Sequence, residues 1–92
     1  MPKRARDVAS GLQKKGFVAE HNDHVFYTLY VNGVKTAVYT KISHGEKEIV
    51  DPLLGVMARQ LKIIKSQLVN LIECPLTQPE FLKILRAGGH IQ

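Results

Sequence analysis

Apolar residues recur with helical spacing in the first part of the chain. Within RARDVASGLQKK (4–15) they form one stripe, and most of the basic residues lie off it. Gly16 follows, and glycine commonly ends a helix. The pattern therefore predicts an amphipathic first helix with a basic exposed side. The stripe consists of Ala5, Val8, Ala9 and Leu12.

The spacing changes beyond Gly16 to that of β-strands. FVAEH (17–21) is expected to form a short strand, and two longer runs rich in β-branched and aromatic residues meet at Asn32-Gly33. This dipeptide favours the tight turn of a β-hairpin. With it as the turn, the expected cross-strand partners are Val31 and Val34, Tyr30 and Lys35, Tyr27 and Val38, Phe26 and Tyr39, and His24 and Lys41.

The alternation of side chains gives the two faces of this hairpin different compositions. One face is mostly aliphatic and threonine, and we expect it to cover the helices. The other mixes a histidine, aromatic rings and lysines, which suits either stacking on RNA bases or an ordinary solvated surface whose rings cover one another. Its members are His24, Phe26, Thr28, Tyr30, Lys35, Ala37, Tyr39 and Lys41.

Helix signals dominate the second half of the chain. A polar loop, residues 43–47, leads to Asp51 as the expected N-cap, with Pro52 at the first helical position. The spacing of the apolar residues that follow predicts a second helix whose stripe belongs to the core. This stripe consists of Leu53, Leu54, Met57 and Leu61.

Two more helices are predicted beyond the second. The third is expected to follow Ser66, and Pro75 should end it. Thr77 and Glu80 have the spacing of a capping box, which predicts the start of a final helix that ends at Gly88-Gly89. The residues of this last helix expected to face inward are Phe81, Leu82 and Leu85.

Composition favours one small globular domain. The chain has 92 residues, of which 45% are hydrophobic and 23% charged. No apolar run has the length of a membrane span, and no signal peptide is recognisable, so we expect a cytoplasmic location. Cys74 is the single cysteine and cannot form an internal disulfide; its apolar helical context predicts a buried packing residue.

The balance of charge bears on the partner. Thirteen Lys and Arg residues against eight Asp and Glu residues give a formal net charge of +5. Such a charge attracts the phosphate backbone of a nucleic acid before any specific contact forms. The alternative explanation is that this positive charge only keeps a small protein soluble. Charge therefore indicates nucleic acid as a partner class without deciding the question.

The order of the predicted elements defines an α+β fold. It is α-β-β-β-α, with a three-stranded antiparallel sheet covered on one face by helices and with extra C-terminal helices, the architecture of double-stranded-RNA-binding domains. We expect one domain over residues 1–92, with a core of about 4–64 and a helical extension of about 65–90. The extension could widen the core, mediate dimerisation or bind a partner.

Three short segments occur in a suggestive order. Gly16-Phe17 follows the first helix, Asn22-Asp23-His24-Val25-Phe26 opens a strand, and HGEKEI (44–49) precedes the second helix. In this order, on a small basic chain, they resemble the HicA family of bacterial toxins, the RNA-cleaving halves of HicA and HicB toxin–antitoxin pairs. The resemblance covers roughly residues 8 to 62.

The resemblance implies an endoribonuclease that cleaves mRNA, with His24 as the catalytic residue and a HicB-like antitoxin as protein partner. It also implies a contact of His44 with RNA or with the antitoxin. The turn in this family usually reads Gly-Ser-His, whereas here Asn22-Asp23 precedes the histidine. The added carboxylate could orient an imidazole, and it would also repel an approaching phosphate.

The residues themselves also allow this chemistry. RNA cleavage without a metal needs a base for the ribose 2′-hydroxyl proton and cations for the charge developing on the phosphate. His24 is the only histidine predicted to lie on a strand of the polar face, and imidazole titrates close to neutral pH. Lys41, its expected cross-strand partner, could supply the electrostatic support. Further RNA contacts are predicted for Lys14, Lys15, Phe26, Tyr30, Lys35, Tyr39, His44 and Lys47.

No cofactor and no metal site are predicted. His21 and His24 could share a zinc ion only with further ligands such as Asp23 or His44. A turn-and-strand spacing does not place both rings on one face as a helix would. Three classes of function stay open: an endoribonuclease, a non-catalytic RNA-binding module of the same fold, and a regulatory protein whose basic face binds an acidic protein partner.

Overall fold

A computed structural model describes residues 2–73 and 75–92 and has the mixed α+β composition that the sequence predicts. The prediction for Cys74 lies outside these residues. The described part contains four helices, a three-stranded antiparallel sheet in the order β2-β3-β4, and a two-stranded ladder of β1 and β5. The elements are β1 Lys3–Arg4, α1 Ala5–Lys14, β2 Phe17–His21, β3 His24–Val31, β4 Val34–Ser43, β5 Glu48–Ile49, α2 Asp51–Gln60, α3 Lys65–Glu73 and α4 Gln78–Ala87.

The first helix has the predicted amphipathic stripe. Val8 and Leu12 are fully buried, and Ala9 is half-buried at the edge of the core. The helix ends one residue earlier than the basic run, and Gly16 follows with φ +97°, a conformation that favours glycine. The Gly16 carbonyl then accepts a hydrogen bond of 3.0 Å from Tyr30 N, which ties the end of the helix to the sheet.

The hairpin turn is confirmed, but the register beyond it differs from the prediction. Asn32 and Gly33 both have positive φ, 52° and 77°, as a type I′ turn requires. Val31 pairs with Val34 as predicted, and so does the next pair, Tyr30 and Lys35. Three residues of β4, 36–38, then oppose the single residue Leu29, so β4 carries two extra residues at this point.

The side chain of Thr36 explains this irregularity. Its hydroxyl donates to the Leu29 carbonyl over 2.8 Å and accepts from Val38 N over 3.2 Å, which satisfies backbone groups that a regular ladder would pair. The predicted partners beyond the bulge are therefore wrong by two positions. The observed pairs are Thr28 with Tyr39, Tyr27 with Thr40, Phe26 with Lys41, Val25 with Ile42 and His24 with Ser43.

A shift of two residues leaves the sheet faces as predicted, because side chains alternate with a period of two. Val38, Thr40 and Ile42 are buried on the face that meets the helices. There α1 contacts β2 and β3, and α2 contacts β4. We call the opposite face, which carries His24, Phe26, Thr28, Tyr30, Lys35, Ala37, Tyr39, Lys41 and Ser43, the outer sheet face.

A short ladder between β1 and β5 was not predicted. Lys3 pairs with Ile49 and Arg4 with Glu48, and Ala5 N donates to the Lys47 carbonyl over 2.9 Å. Strands of two residues are too short to produce a periodic pattern in the sequence. The ladder fixes the chain just before α2.

Two of the later helix boundaries differ slightly from the prediction. Asp51 is the first residue of α2 rather than its N-cap, because the extended residue Val50 supplies the carbonyl that accepts from Leu54 N over 2.9 Å. The third helix begins at Lys65 rather than after Ser66.

The capping box of the last helix is confirmed. Glu80 N donates to the Thr77 hydroxyl over 3.3 Å, and Thr77 N donates to the Glu80 carboxylate over 3.0 Å. Phe81 and Leu85 are buried as predicted, and Leu82 is half-buried. The box therefore fixes the start of the helix that closes the core.

The C-terminal helices belong to the same core as the sheet. Phe17 of β2 and Phe81 of α4 stack with ring centroids 5.9 Å apart. The helices α3 and α4 therefore widen the core, to which they contribute Leu68, Leu71, Ile72, Phe81 and Leu85.

Burial in the core also raises the pKa of Tyr27, which keeps this phenol neutral. None of the helices within residues 2–73 and 75–92 has the length and the hydropathy of a membrane-spanning segment.

Candidate nucleic-acid interface

His24 lies at the start of the central strand, on the outer sheet face. It is the first residue of β3, lies opposite Ser43 and is half-buried. A tight turn holds the preceding residues, with Asn22 N donating to the His24 carbonyl over 2.9 Å. The ring nitrogen Nδ1 is buried and has no hydrogen-bond partner among the described residues. A ligand that approaches from solvent could therefore meet this ring only at Nε2.

Lys41 does not lie directly across from His24, as the simple hairpin register predicted. It lies opposite Phe26, because of the two extra residues in β4. Lys41 remains on the outer sheet face, exposed to solvent and diagonal to His24. The two side chains are therefore diagonal neighbours on one surface and not a directly opposed cross-strand pair.

The aromatic residues of the outer sheet face form one wall of a shallow groove. The Phe26 and Tyr39 ring centroids are 6.0 Å apart, and the two planes are tilted by 37°. Phe26 is half-buried, whereas Tyr39 is 49% exposed. The groove has a volume of about 390 Å³, and the buried Thr28 lies among its lining residues. A planar ring could therefore stack on Tyr39 without displacing core residues.

An ion pair borders the same groove on its other side. Lys35 Nζ of β4 lies 3.5 Å from Glu20 Oε1 of β2, so the pair reaches across the central strand. Both side chains are substantially exposed and line the groove. Tyr30, opposite Lys35, is half-buried nearby on the same face. The groove thus combines aromatic rings, a cation and a carboxylate.

Glu20 also belongs to this surface, although the sequence did not predict it there. It pairs with Phe26, so the two side chains project from the same face. The alternation within FVAEH already puts Glu20 on the opposite side from Phe17 and Ala19. That signal becomes useful only when the pairing of β2 with β3 is known.

Two predicted RNA-binding lysines lie elsewhere. Lys15 is only 7% exposed, and its ammonium donates hydrogen bonds of 2.7 Å each to the carbonyls of Leu71 and Leu76. The prediction that Lys15 contacts RNA is therefore wrong, since this side chain is buried and two of its three N–H donors bind carbonyls inside the protein. Lys14 is exposed but lines a cleft with Ile72 of α3, on the helical side rather than on the outer sheet face.

The histidine of the β4–β5 loop is also separated from His24. His44 Nε2 donates to the Asn22 carbonyl over 2.7 Å, and its ring stacks on His21 with centroids 6.5 Å apart. His21 pairs with Val25, so it projects from the face opposite to that of His24. Lys47 is exposed beside the β1–β5 ladder. RNA contacts by His44 and Lys47 stay predictions, and both residues lie outside the groove.

Possible metal ligands do not converge in the described part of the chain. No group of three or more His, Cys, Asp or Glu side chains within residues 2–73 and 75–92 is arranged to hold a metal ion. His21 and His24 project from opposite faces, which separates the one HxxH pair in the sequence.

The outer sheet face therefore collects His24, Lys41, Phe26, Tyr30, Tyr39 and Lys35 from the predicted set, and adds Glu20. Such a surface can bind a phosphate, stack a planar ring and accept a proton. Comparisons with known proteins found no match to a protein-family model, to a curated protein or to a solved structure.

Proposed function

We propose that the protein is a metal-independent endoribonuclease of the HicA toxin kind that cleaves mRNA with His24 as general base. The α-β-β-β-α order with its three-stranded sheet supports a fold like that of double-stranded-RNA-binding domains. In this proposal the protein acts in the cytoplasm and is held inactive by a HicB-like antitoxin. The net charge of +5 suits an RNA substrate.

One observation carries the proposal: the outer sheet face combines His24, an exposed lysine and an aromatic groove. His24 and Lys41 are diagonal neighbours on this face, and the groove starts at Phe26, two residues along the same strand. RNA-cleaving chemistry needs a proton acceptor and a cation near one phosphate, next to a surface that holds the chain.

The proposed reaction uses two side-chain atoms, Nε2 of His24 and Nζ of Lys41. His24 Nε2 takes the proton of a ribose 2′-hydroxyl, whose oxygen attacks the adjacent phosphorus. Lys41 stabilises the negative charge that develops on the phosphoryl oxygens. The bond from phosphorus to the 5′ oxygen breaks, and that oxygen takes a proton from water, leaving a 2′,3′-cyclic phosphate and a 5′-hydroxyl. No redox step and no metal are required.

A non-catalytic RNA-binding module is the second candidate. The buried Nδ1 of His24 has no hydrogen-bond partner among the described residues, and the Asp23 side chain is exposed. A catalytic imidazole is usually oriented by a partner on its second nitrogen. Without such a partner, the same surface would hold RNA without cutting it.

Cleavage of a long unstructured RNA in the presence of a chelator separates the two candidates. The wild-type protein is compared with His24→Ala and with His90→Ala, a matched histidine change in the exposed C-terminal segment. The endoribonuclease proposal expects His24→Ala to lower the cleavage rate at least a hundredfold and to retain RNA affinity, while His90→Ala cuts normally.

Binding without cleavage by all three proteins would instead support the non-catalytic module. Absence of both binding and cleavage would reject both RNA functions and favour the regulatory protein with an acidic partner. If the protein binds the RNA without cutting it, the affinity is measured at two salt concentrations. Binding through phosphate contacts weakens steeply as the salt concentration rises.

A further inference from the structure

The groove on the outer sheet face has two unlike sides. Phe26 and Tyr39 form the aromatic side, with centroids 6.0 Å apart. Glu20 and Lys35 form the charged side, and the buried Thr28 lies between them on the central strand. A cavity of about 390 Å³ with an exposed ring on one side and hydrogen-bonding groups on the other suits a flat heterocycle.

The charged side favours a ligand that donates hydrogen bonds. A carboxylate only accepts, through two oxygens that suit a pair of parallel donors. Among the RNA bases, guanine alone presents two adjacent donors, N1–H and N2–H, on its Watson–Crick edge. Adenine, cytosine and uracil each place an acceptor beside their donor on that edge, which a carboxylate would repel.

Lys35 does not block this use of Glu20. The contact between its Nζ and Glu20 Oε1 is long, 3.5 Å, and both side chains are exposed. An ion pair of this kind is weak, so a base edge can displace the ammonium at little cost. The displaced Lys35 would then be free to meet a phosphate of the same RNA.

The groove also lies at a suitable distance from His24. Phe26 follows His24 by two positions on the same face of β3, which corresponds to about 7 Å along a strand. One nucleotide can span that distance. The base in the groove would therefore belong to a nucleotide next to the phosphate that His24 and Lys41 approach.

We propose that this groove binds one unpaired guanine of the RNA, stacked on Tyr39 and Phe26 and read by the carboxylate of Glu20. The inference rests on the proposed action on RNA and adds a base preference to it. Glu20 is then a specificity-determining residue, and Tyr39 supplies affinity for any base.

The test uses 2′-O-methyl pentanucleotides, which bind but cannot be cleaved. Fluorescence anisotropy compares UUGUU, UUAUU, UUCUU and UUUUU with the wild-type protein and with Glu20→Gln, Tyr39→Leu and Glu46→Gln. Glu46 lies in the β4–β5 loop, outside the groove, and its variant is the matched acidic control.

The inference expects UUGUU to bind the wild type and Glu46→Gln at least tenfold more tightly than UUUUU. Glu20→Gln should reduce this ratio to less than threefold, and Tyr39→Leu should weaken all four oligonucleotides. Equal binding of the four by the wild type, or a guanine preference that survives in Glu20→Gln, would overturn the inference. The proposed function would stand in both cases if the long RNA is still cleaved, and would fall with the inference if the wild type neither binds nor cleaves any RNA.

Discussion

The side-chain ammonium of Lys15 donates a hydrogen bond of 2.7 Å to the carbonyl oxygen of Leu71, in the last turn of α3. A second bond of 2.7 Å reaches the carbonyl of Leu76, in the link to α4. The last carbonyls of a helix have no partner within the helix, and a cation is favourable at that end. Lys15 therefore joins the end of α1 to the C-terminal helices.

Replacing this lysine should destabilise the protein without acting through RNA. Lys15→Met keeps the length of the side chain but leaves two carbonyls without their donor, so we expect a loss of about 2–4 kcal/mol in the free energy of unfolding. Urea unfolding measures it. The neighbouring exposed change Lys14→Met is the control and should alter stability by less than about 0.5 kcal/mol. Equal effects of the two changes would contradict the structural role of Lys15.

Two glycines in helices should respond to alanine with opposite signs. At Gly11 a Cβ atom would lie 2.9 Å from Ile72 Cα and 3.0 Å from its carbonyl oxygen, both backbone atoms of α3. Gly11→Ala should therefore cost about 1–3 kcal/mol, despite the better helix propensity of alanine. At Gly55 in α2 no atom lies within 4 Å of the added Cβ, so Gly55→Ala should stabilise by about 0.5–1 kcal/mol. Thermal unfolding of both variants checks the pair, and a stabilising Gly11→Ala would show that α1 and α3 are less closely packed.

The capping box should make stability depend on acidity. Hydrogen bonds from Thr77, the backbone N–H first and the side chain second, hold the pKa of Glu80 below its ordinary value of 4.5. A carboxyl group whose pKa is lower in the folded state stabilises the protein above its unfolded pKa. That contribution disappears as the pH falls through the folded pKa.

Glu80→Gln tests this dependence, because an amide cannot titrate. The variant should be less stable than the wild type at about pH 7, and the difference should shrink as the pH falls from about 5 to about 3. Unfolding by urea at several pH values gives the comparison. A difference that stays constant over this range would mean that the charge of Glu80 contributes nothing to the cap.

The hairpin shows how far sequence reasoning reaches. The Asn32-Gly33 turn and the two faces follow from local chemistry and from the alternation of side chains, which a two-residue shift does not disturb. The partner of His24 depended instead on the Thr36 hydroxyl, which bonds to Leu29 and admits two extra residues. Any other residue with an ordinary strand propensity at position 36 would have led to the same predicted cross-strand partner for His24.

Lys15 shows that local patterns do not predict contacts between residues far apart in the sequence. Its place at the end of a basic helix predicts exposure, and its actual partners lie 56 and 61 residues away in the chain. Glu20 was missed for the same reason, since its place beside Phe26 depends on strand pairing. Local patterns thus predicted most elements of the fold and the place of His24 on the outer sheet face, whereas the surroundings of this histidine depend on contacts distant in sequence.

His44 should position the turn that leads to His24. Its Nε2 donates to the Asn22 carbonyl over 2.7 Å, and its ring stacks on His21. His44→Phe keeps a ring for the stack but removes the donor, so the turn loses one anchor while the core is untouched. We expect the amide of Asn22, which bonds to the His24 carbonyl, to exchange with solvent several-fold faster, with a loss in overall stability of about 1 kcal/mol or less.

Hydrogen exchange followed by NMR measures this effect residue by residue. His90→Phe, a change of the same kind in the exposed C-terminal segment, is the control and should leave the exchange of Asn22 unaltered. If the protein cleaves RNA as proposed, His44→Phe should lower kcat more than it raises KM, because a displaced turn misplaces the base rather than the binding groove. Unchanged exchange at Asn22 would mean that the β2–β3 turn holds His24 in place without the loop.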